Sequence, residues 1–301
     1  MRYGQGVGLC LAAGTIWSLM GLGLRQIDDA SVWAILFWRS IGMIPVLLGF
    51  IWWTSGGKPL TAIRAVGRSG ALGGFGLVFA FSGAIYAFQT TTVANAVFLF
   101  AASPFVAAVL GWLVLREKVR PTTWLSMAVA VFGMYLMVRD GLGTGAFIGN
   151  MAALMSAAGF GSFTVMLRWG RVNDMLPAVL LGSVFSAIMA GLILLAQGAA
   201  IIVSAHDIGV AVAIGVFVVS LGLVLFTFGS KVVPAAELTL LSLVEVLLGP
   251  IWVWVFLGET ASRNTLIGGA VLLTAVLLNG LAGSLGKSAQ GVADRPQPVN
   301  D

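Results

Sequence analysis

The sequence has very little charge for its length. Only 9% of its 301 residues are charged, 59% are hydrophobic, and the mean hydropathy is +1.03. Soluble proteins have about 25% charged residues, so this chain cannot cover a soluble surface. At about 20 residues for each membrane-spanning helix, the length leaves room for about ten spans. The composition therefore predicts an all-α integral membrane protein with little outside the bilayer.

The residues that form disulfides, metal sites and catalytic pairs are scarce. The chain has one cysteine, Cys10, and one histidine, His206, which lies in a predicted loop. All seven aspartates fall in predicted loops or in the C-terminal tail. These counts argue against a disulfide, a histidine-based metal site and a serine–histidine pair in the membrane. We expect no catalysis, no cofactor and no bound metal.

Apolar runs separated by short polar breaks predict ten membrane-spanning helices. One break, at 90–95, carries no charge, but an unbroken helix over 69–115 would be far too long for the bilayer. The first span lacks the cleavage site of a signal peptide. The predicted spans are 5–24, 31–53, 69–89, 94–115, 121–138, 146–168, 176–198, 207–229, 235–257 and 263–283.

Lysine and arginine are distributed unequally between alternate loops. If the N-terminus is cytoplasmic, the inside segments hold 12 of these residues and the outside segments hold 3. This asymmetry is a strong positive-inside signal, and it predicts that both termini are cytoplasmic. The basic charge, with a pI near 9.9, therefore indicates orientation among membrane lipids, and nucleic acid is not an expected partner.

The two halves of the chain are similar to each other. A displacement of 142 residues superimposes Glu117 on Glu259, and a displacement of 143 superimposes Arg25 on Arg168. Each half then holds five spans, and because five is odd, the second half enters from the opposite side. Secondary transporters often contain such inverted repeats, since two equivalent halves can exchange roles as the molecule rocks between states.

Matched stretches of the two halves carry a resemblance to a known family. The first half has Tyr86 to Asn95, Pro104 and Leu115 to Glu117, and the second has Ala236 to Pro250 and Phe256 to Glu259. These stretches resemble the drug/metabolite transporter superfamily, EamA type. The resemblance covers about residues 5–283. It implies ten helices, and many bacterial members export amino acids or other small metabolites.

The repeats divide the chain into three parts. The predicted units are a first five-helix repeat over 1–140, an inverted second repeat over 145–285 and a disordered cytoplasmic tail over 286–301. With the resemblance, this organisation implies a multi-pass protein of the bacterial inner membrane. A single chain then contains a complete pathway, so a monomer is sufficient.

Two charged residues lie deep within predicted spans. Glu245 is about ten residues into the ninth span and Arg39 about eight into the second, or about 15 and 12 Å deep at 1.5 Å per residue. Charges inside a membrane are rare and usually functional. We expect the two to form a buried pair or to share a polar cavity, with Glu245 responding to protons or substrate. A structural salt bridge is the alternative.

Four further polar residues lie near the ends of spans. Asn95 and its repeat partner Glu237 are each one turn into a span, and we expect them to mark the two mouths of a path. For Glu237 the alternative is a favourable interaction with the helix dipole. Together, Glu237, Glu245 and Arg39 are the predicted coupling or gating residues. Glu117 and Glu259 end the fourth and ninth spans, where capping or pairing between loops is expected.

Trp17 differs from most of the ten tryptophans, which lie near predicted helix ends. It is about twelve residues into the first span, and its repeat counterpart is Phe160. A central tryptophan beside hydroxyl groups suits a cavity for apolar or aromatic groups, although ordinary helix packing is the alternative. The predicted substrate-binding residues are Trp17, Ser18, Tyr86, Asn95, Phe98, Phe160 and Phe163.

The sequence as a whole predicts a secondary transporter that exports small organic solutes by alternating access. Few cationic groups lie in the spans, which disfavours sugar phosphates, and the aromatic residues favour amino acids, including apolar or aromatic ones. A drug or other metabolite exporter of the same fold is the alternative within transport. A non-transporting membrane scaffold subunit and a channel are alternatives of other classes.

Overall fold

The computed structural model describes residues 2–139, 146–172, 174–233 and 235–293, without the side chains of 235–237, 239–240, 242 and 281–293. The described chain is helical and contains no strand. Its α-helices are α1 (Tyr3–Ser18), α2 (Met20–Leu24), α3 (Val32–Thr54), α4 (Pro59–Ala65), α5 (Gly67–Thr90), α6 (Val93–Phe100), α7 (Ser103–Leu115), α8 (Pro121–Arg139), α9 (Phe147–Trp169), α10 (Leu176–Ala196), α11 (Ala205–Ala213), α12 (Leu221–Gly229), α13 (Ala235–Leu257) and α14 (Arg263–Ala293).

Eight helical stretches of the described chain are long and apolar enough to span a membrane. They correspond to the first eight predicted spans, in chain order. The ninth and tenth predicted spans coincide with α13 and α14, some of whose side chains lie outside the described set. The protein is therefore a multi-pass helical membrane protein, as its composition predicts. The eight stretches are Tyr3–Leu24, Val32–Thr54, Gly67–Thr90, Val93–Leu115, Pro121–Arg139, Phe147–Trp169, Leu176–Ala196 and Ala205–Gly229.

The uncharged break between the third and fourth spans is confirmed. Helix α5 ends at Thr90 and α6 begins at Val93. Thr92 is the N-cap, and its hydroxyl oxygen accepts the backbone N–H of Asn95 at 3.2 Å. A threonine in this position satisfies one of the free N–H groups that begin every helix. The local sequence therefore determines the break without any charge.

Proline affects the two halves differently. The fourth span is interrupted between α6 and α7, and Pro104 is the second residue of α7. Proline lacks a backbone N–H and its ring clashes with the preceding turn, which explains the interruption. Pro250 lies inside α13, which continues past it without a break. The fourth and ninth spans, which the sequence predicts to be repeat partners, therefore differ in shape.

The eighth span contains a π-helical segment at Ile214–Ser220, between α11 and α12; it is called the π segment below. A π-helix widens the turn and shifts the side chains that follow it. Such turns are rare and often lie at functional sites. Nothing in the local composition distinguishes this stretch from an ordinary apolar helix, so the sequence analysis did not predict it.

Close contacts between helices depend on small residues. Helix α5 packs along α9, α8 along α14, α3 along α10, and α1 between α12 and α13. At the α5–α9 contact, a Cβ added to Gly159 would lie 2.5 Å from the backbone nitrogen of Ala80. At the α8–α14 contact, one added to Gly133 would lie 2.6 Å from the carbonyl oxygen of Gly268. The glycines therefore allow the backbone approach that membrane helices use for association.

The C-terminal region differs from the prediction of a disordered tail from residue 286. Helix α14 continues to Ala293. The residues after the predicted span contain no proline before Pro296, so no proline stops the helix earlier. Residues 294–301 lie outside the described part of the chain.

Candidate functional site

Trp17 lies on α1 against the π segment and α12. Its indole Nε1 is 3.5 Å from the carbonyl oxygen of Val219, and its ring centroid is 5.5 Å from that of Phe226. A Cβ added to Gly222 would overlap the indole, so this glycine makes room for the ring. The tryptophan is only partly buried. It therefore combines a helix contact with a partly exposed surface.

Phe160 is an exposed ring on α9. One turn earlier, the Ser156 hydroxyl donates to the carbonyl of Ala80 on α5 at 2.7 Å, and Ala157 packs in a cluster with Phe105 of α7. Residues three and four apart share a helix face, so Phe160 points between α5 and α7. Its side chain is nevertheless 47% exposed. Phe160, the predicted repeat counterpart of Trp17, is therefore not enclosed by these helices.

Glu245 lies on the face of α13 that contacts α1 and α6. One turn later, a Cβ added to Gly249 would lie 3.5 Å from Val97 of α6 and 3.8 Å from the carbonyl oxygen of Ser18 on α1. The Glu245 side chain is half-buried, and no described residue forms a hydrogen bond or an ion pair with it. It is an unpaired carboxylate midway along a helix in the predicted ninth span.

Arg39 is completely buried, and its Nε and Nη2 have no hydrogen-bond partner in the described chain. The predicted pair with Glu245 is absent, because the guanidinium lies over Phe81 instead, with Cζ 4.5 Å from the ring centroid. A desolvated cation–π contact contributes about 2 kcal/mol. Burial of an unpaired ion costs several kcal/mol even after relaxation. Phe81 therefore does not compensate the charge of Arg39.

Ser18 joins two helices. Its side chain is buried, donates to the carbonyl of Thr15 at 2.6 Å and accepts the indole N–H of Trp252 on α13 at 2.9 Å. These bonds use the hydroxyl for the α1–α13 contact. The prediction that Ser18 binds substrate is therefore not supported by its geometry.

Asn95 is also engaged in helix packing. Its amide Nδ2 donates to Thr91 Oγ1 and to Asn150 Oδ1, each at 3.3 Å, and its Oδ1 accepts the hydroxyl of Thr265 at 2.7 Å. Thr91 Oγ1 donates to the same Asn150 oxygen at 2.9 Å. The network joins α6, α9 and α14, and Asn95 is only 7% exposed within it. The network gives Asn95 a structural role rather than a free position at a mouth.

The remaining predicted rings lie apart from Trp17. Phe98 is buried against Gly269 of α14, and Phe163 is buried against Gly73 of α5. Both rings fill helix contacts, so they do not line accessible space in this structure. Tyr86 is partly buried against the main apolar core. The side chain of Glu237 lies outside the described residues.

Two ion pairs connect helix ends. Arg25 Nε lies 2.9 Å from Glu259 Oε2, and Arg168 Nη2 lies 2.6 Å from Glu117 Oε2. The pairing role expected for both glutamates is therefore present. The two pairs lie at opposite ends of the bundle, because α9 begins beside Thr90, at one end of α5, and finishes at the other. A helix of 23 residues, such as α9, separates such ends by about 33 Å.

One group of possible metal ligands lies at the start of α11 and in the loop before α3, whereas the sequence predicts no metal site. Ligand atoms of Asp28, His206 and Asp207 lie within 4.8 Å of one another. The carboxylate of Asp207 already accepts three backbone N–H groups, from Asp28, Asp29 and Ala30, at 3.0 to 3.3 Å. The buried aspartate therefore holds the loop before α3 against α11. The presence of only one histidine therefore does not exclude a ligand set of one histidine and two carboxylates.

An apolar groove of about 440 Å³ lies between α5 and α9. It is bordered by Phe75 and Phe79, which are each 45% exposed. Phe160 is not among the residues that line this groove. None of the residues that the sequence predicts for substrate binding lines the groove.

The comparisons with known proteins agree with this architecture. A model of the EamA-like transporter family matches residues 4–139 and again residues 147–281. The chain is 25% identical over 205 residues to the Uncharacterized transporter YwfM of Bacillus subtilis (strain 168), a match that covers 67% of this chain and 69% of that protein. A crystal structure of another protein has a TM-score of 0.64 at 15% identity, covering 93% of this chain and 99% of that one, which shows a shared fold. The chain belongs to the EamA-like transporter family, within the drug/metabolite transporter superfamily.

Proposed function

We propose that this transporter is a carrier that exports small organic solutes, and amino acids in particular, by alternating access across the bacterial inner membrane. In this proposal ten spans form two inverted repeats, over 1–140 and 145–285, and both termini are cytoplasmic. The membership of the transporter family supports transport of small molecules in general. The substrate and the mechanism are inferred from the arrangement of the helices and the unpaired groups between them.

The observation that carries the proposal is a matched set of contacts between the two halves. Helix α1 packs on α12 and α13, and its repeat partner α9 packs on α5 and α7, which are the partners of α12 and α13. The ion pairs follow the same rule, because each joins an arginine of one half to a glutamate of the other. Such equivalence allows the halves to exchange roles, as alternating access requires.

Amino acids are proposed as the substrates because of three groups within the predicted spans. Trp17 and Phe160 are repeat counterparts that both remain accessible, and Glu245 is an unpaired carboxylate on the face towards α1. Aromatic rings suit an apolar side chain, and a carboxylate suits an ammonium group. A drug or other metabolite exporter is the second candidate, since an aromatic cavity with one carboxylate also suits organic cations. A non-transporting scaffold has no need for the unpaired charge.

Counterflow tests the proposal directly. Proteoliposomes are loaded with unlabelled amino acids at high concentration, and uptake of trace labelled phenylalanine, methionine and threonine is followed without an ion gradient. The proposal predicts protein-dependent accumulation that external unlabelled amino acid suppresses. No accumulation with folded protein would reject amino acids and leave larger metabolites and drugs as the candidates. Flux far above carrier rates would indicate a channel instead.

A further inference from the structure

We propose that Arg39 binds the carboxylate group of the transported solute. This inference depends on the proposed function and specifies its substrate class as solutes that carry a carboxylate. It starts from the state of the guanidinium, which is fully buried and has two nitrogens without a partner in the described chain. Arginine stays charged at any physiological pH, so the charge cannot be removed by loss of a proton.

No described acidic side chain compensates Arg39. Glu117 and Glu259 are paired with Arg168 and Arg25 at the ends of the bundle. The remaining described glutamate, Glu245, is itself unpaired. An unpaired cation and an unpaired anion therefore coexist within the predicted spans. Such a combination suits a zwitterion better than a dianion such as a phosphate ester, which Glu245 would repel.

The guanidinium lies where a small motion can expose it. Its ring neighbour Phe81 is only half-buried, so displacement of this ring would bring the charge towards a surface of the described structure. On the backbone side, α3 crosses α11 closely, because a Cβ at Gly42 would lie 2.8 Å from the carbonyl oxygen of Val212. A Cβ at Gly215 would overlap the Arg39 carbonyl oxygen. The backbone of Arg39 is thus held firmly, while one side chain covers its charged group.

Free hydroxyl groups accompany the arginine. Ser40, Ser186 and Ser220 are fully buried, and their hydroxyl oxygens have no hydrogen-bond partner in the described chain. Ser40 follows Arg39 directly, and Ser220 ends the π segment. Ser186 is one turn from Ser183, whose hydroxyl contacts Met43 of α3, and Met43 is one turn from Arg39. Unused donors at this level of the bundle can serve the second oxygen of a bound carboxylate.

The geometry of arginine determines what the site accepts. A guanidinium offers parallel N–H groups that match the two oxygens of a carboxylate, whereas lysine offers a single point charge. The variant Arg39→Lys should therefore bind carboxylates more weakly than the wild type. Arg39→Gln should lose the preference for a carboxylate altogether. Arg64→Gln, on the exposed surface of α4, is a matched control that removes an arginine elsewhere.

The test measures binding of labelled phenylalanine to purified full-length protein, with competition by unlabelled ligands. Phenethylamine lacks the carboxylate, 3-phenylpropionate lacks the ammonium group, and inorganic phosphate tests for a general anion site. We expect phenylalanine to compete at least tenfold better than phenethylamine or phosphate in the wild type and in Arg64→Gln. In Arg39→Gln, the affinity for phenylalanine should fall at least tenfold and become equal to that for phenethylamine.

Two outcomes would overturn the inference. One is a phenylalanine affinity in Arg39→Gln within twofold of the wild type, with the variant shown to be folded by its unfolding temperature in detergent. The other is equal competition by phenethylamine and phenylalanine in the wild type. If the wild type neither binds nor carries amino acids, the proposed function fails separately. The carboxylate site at Arg39 is then tested with 3-phenylpropionate. This compound should raise the unfolding temperature of the wild type but not that of Arg39→Gln. If it raises the unfolding temperature of neither protein, the site is rejected.

Discussion

The carboxylate of Glu259 joins Arg25 to the beginning of α6. One of its oxygens lies 2.9 Å from Arg25 Nε, and the other accepts the backbone N–H of Val93 at 2.6 Å. Arg25 in turn donates from Nη2 to the carbonyl of Thr91 at 2.9 Å. This pair is mostly buried, whereas the pair of Arg168 with Glu117 is about half exposed. The two ends of the bundle therefore carry equivalent ion pairs that differ in burial.

This difference predicts unequal losses of stability. Glu259→Gln leaves a mostly buried guanidinium without its counter-charge, and we expect a loss of about 1–3 kcal/mol. Glu117→Gln breaks an exposed pair, and we expect a loss of about 0–1 kcal/mol. The unfolding temperatures of the two variants are measured in the same detergent, and each variant is the control for the other. Equal losses would contradict the burial argument.

Arg39 is predicted to reduce the stability of the empty protein. Replacement by Met, which fills similar volume without charge, should raise the unfolding temperature in the absence of substrate, because the burial cost of the unpaired ion disappears. The same substitution at exposed Arg64 should leave the temperature nearly unchanged. A lower unfolding temperature in Arg39→Met would show that the guanidinium is already compensated in the folded protein.

Glu245 is predicted to couple flux to a gradient. Glu245→Gln keeps the shape of the side chain and removes its charge and its exchangeable proton. We expect gradient-driven accumulation in proteoliposomes to fall at least tenfold, while exchange without a gradient continues. Glu117→Gln removes a carboxylate at the bundle end and serves as control. Full gradient-driven accumulation in Glu245→Gln would exclude the coupling role.

Asn95 is predicted to contribute to stability and not to selectivity. The substitution Asn95→Ala removes one of the donors to Asn150 Oδ1 and the buried acceptor of the Thr265 hydroxyl, which should reduce the free energy of unfolding by about 1–3 kcal/mol. The concentration of phenylalanine that gives half-maximal counterflow should change less than twofold. A large change in that concentration with little loss of stability would instead assign Asn95 to the substrate path.

The order and limits of the membrane spans could be predicted from the sequence, because lipid imposes a length of about 20 apolar residues on every crossing. The threonine cap before Val93 is also a local signal, and the structure confirms the break there. Each of these features depends on nearby residues alone. They required no knowledge of how the helices pack.

The directions of side chains could not be predicted in the same way. Lipid and protein interior are both apolar, so hydrophobic periodicity does not separate the buried ring of Phe163 from the exposed ring of Phe160. The partners of Ser18 and Asn95 lie on helices far away in the sequence, at Trp252 and Thr265. For the same reason, the depth of Arg39 and Glu245 suggested a pair that the side-chain directions do not form.

Cross-linking at the two ends tests alternating access most directly. In a Cys10→Ala background, one variant carries cysteines in place of both Arg25 and Glu259, at one end of the bundle. A second variant carries cysteines in place of both Arg168 and Glu117, at the other end. If the halves must separate at each end in turn, oxidation of either pair stops amino-acid counterflow, and reduction restores it. Uncross-linked double-cysteine proteins measure the effect of losing the ion pairs alone. Counterflow that continues at the reduced-state rate with either end fully cross-linked would contradict the account.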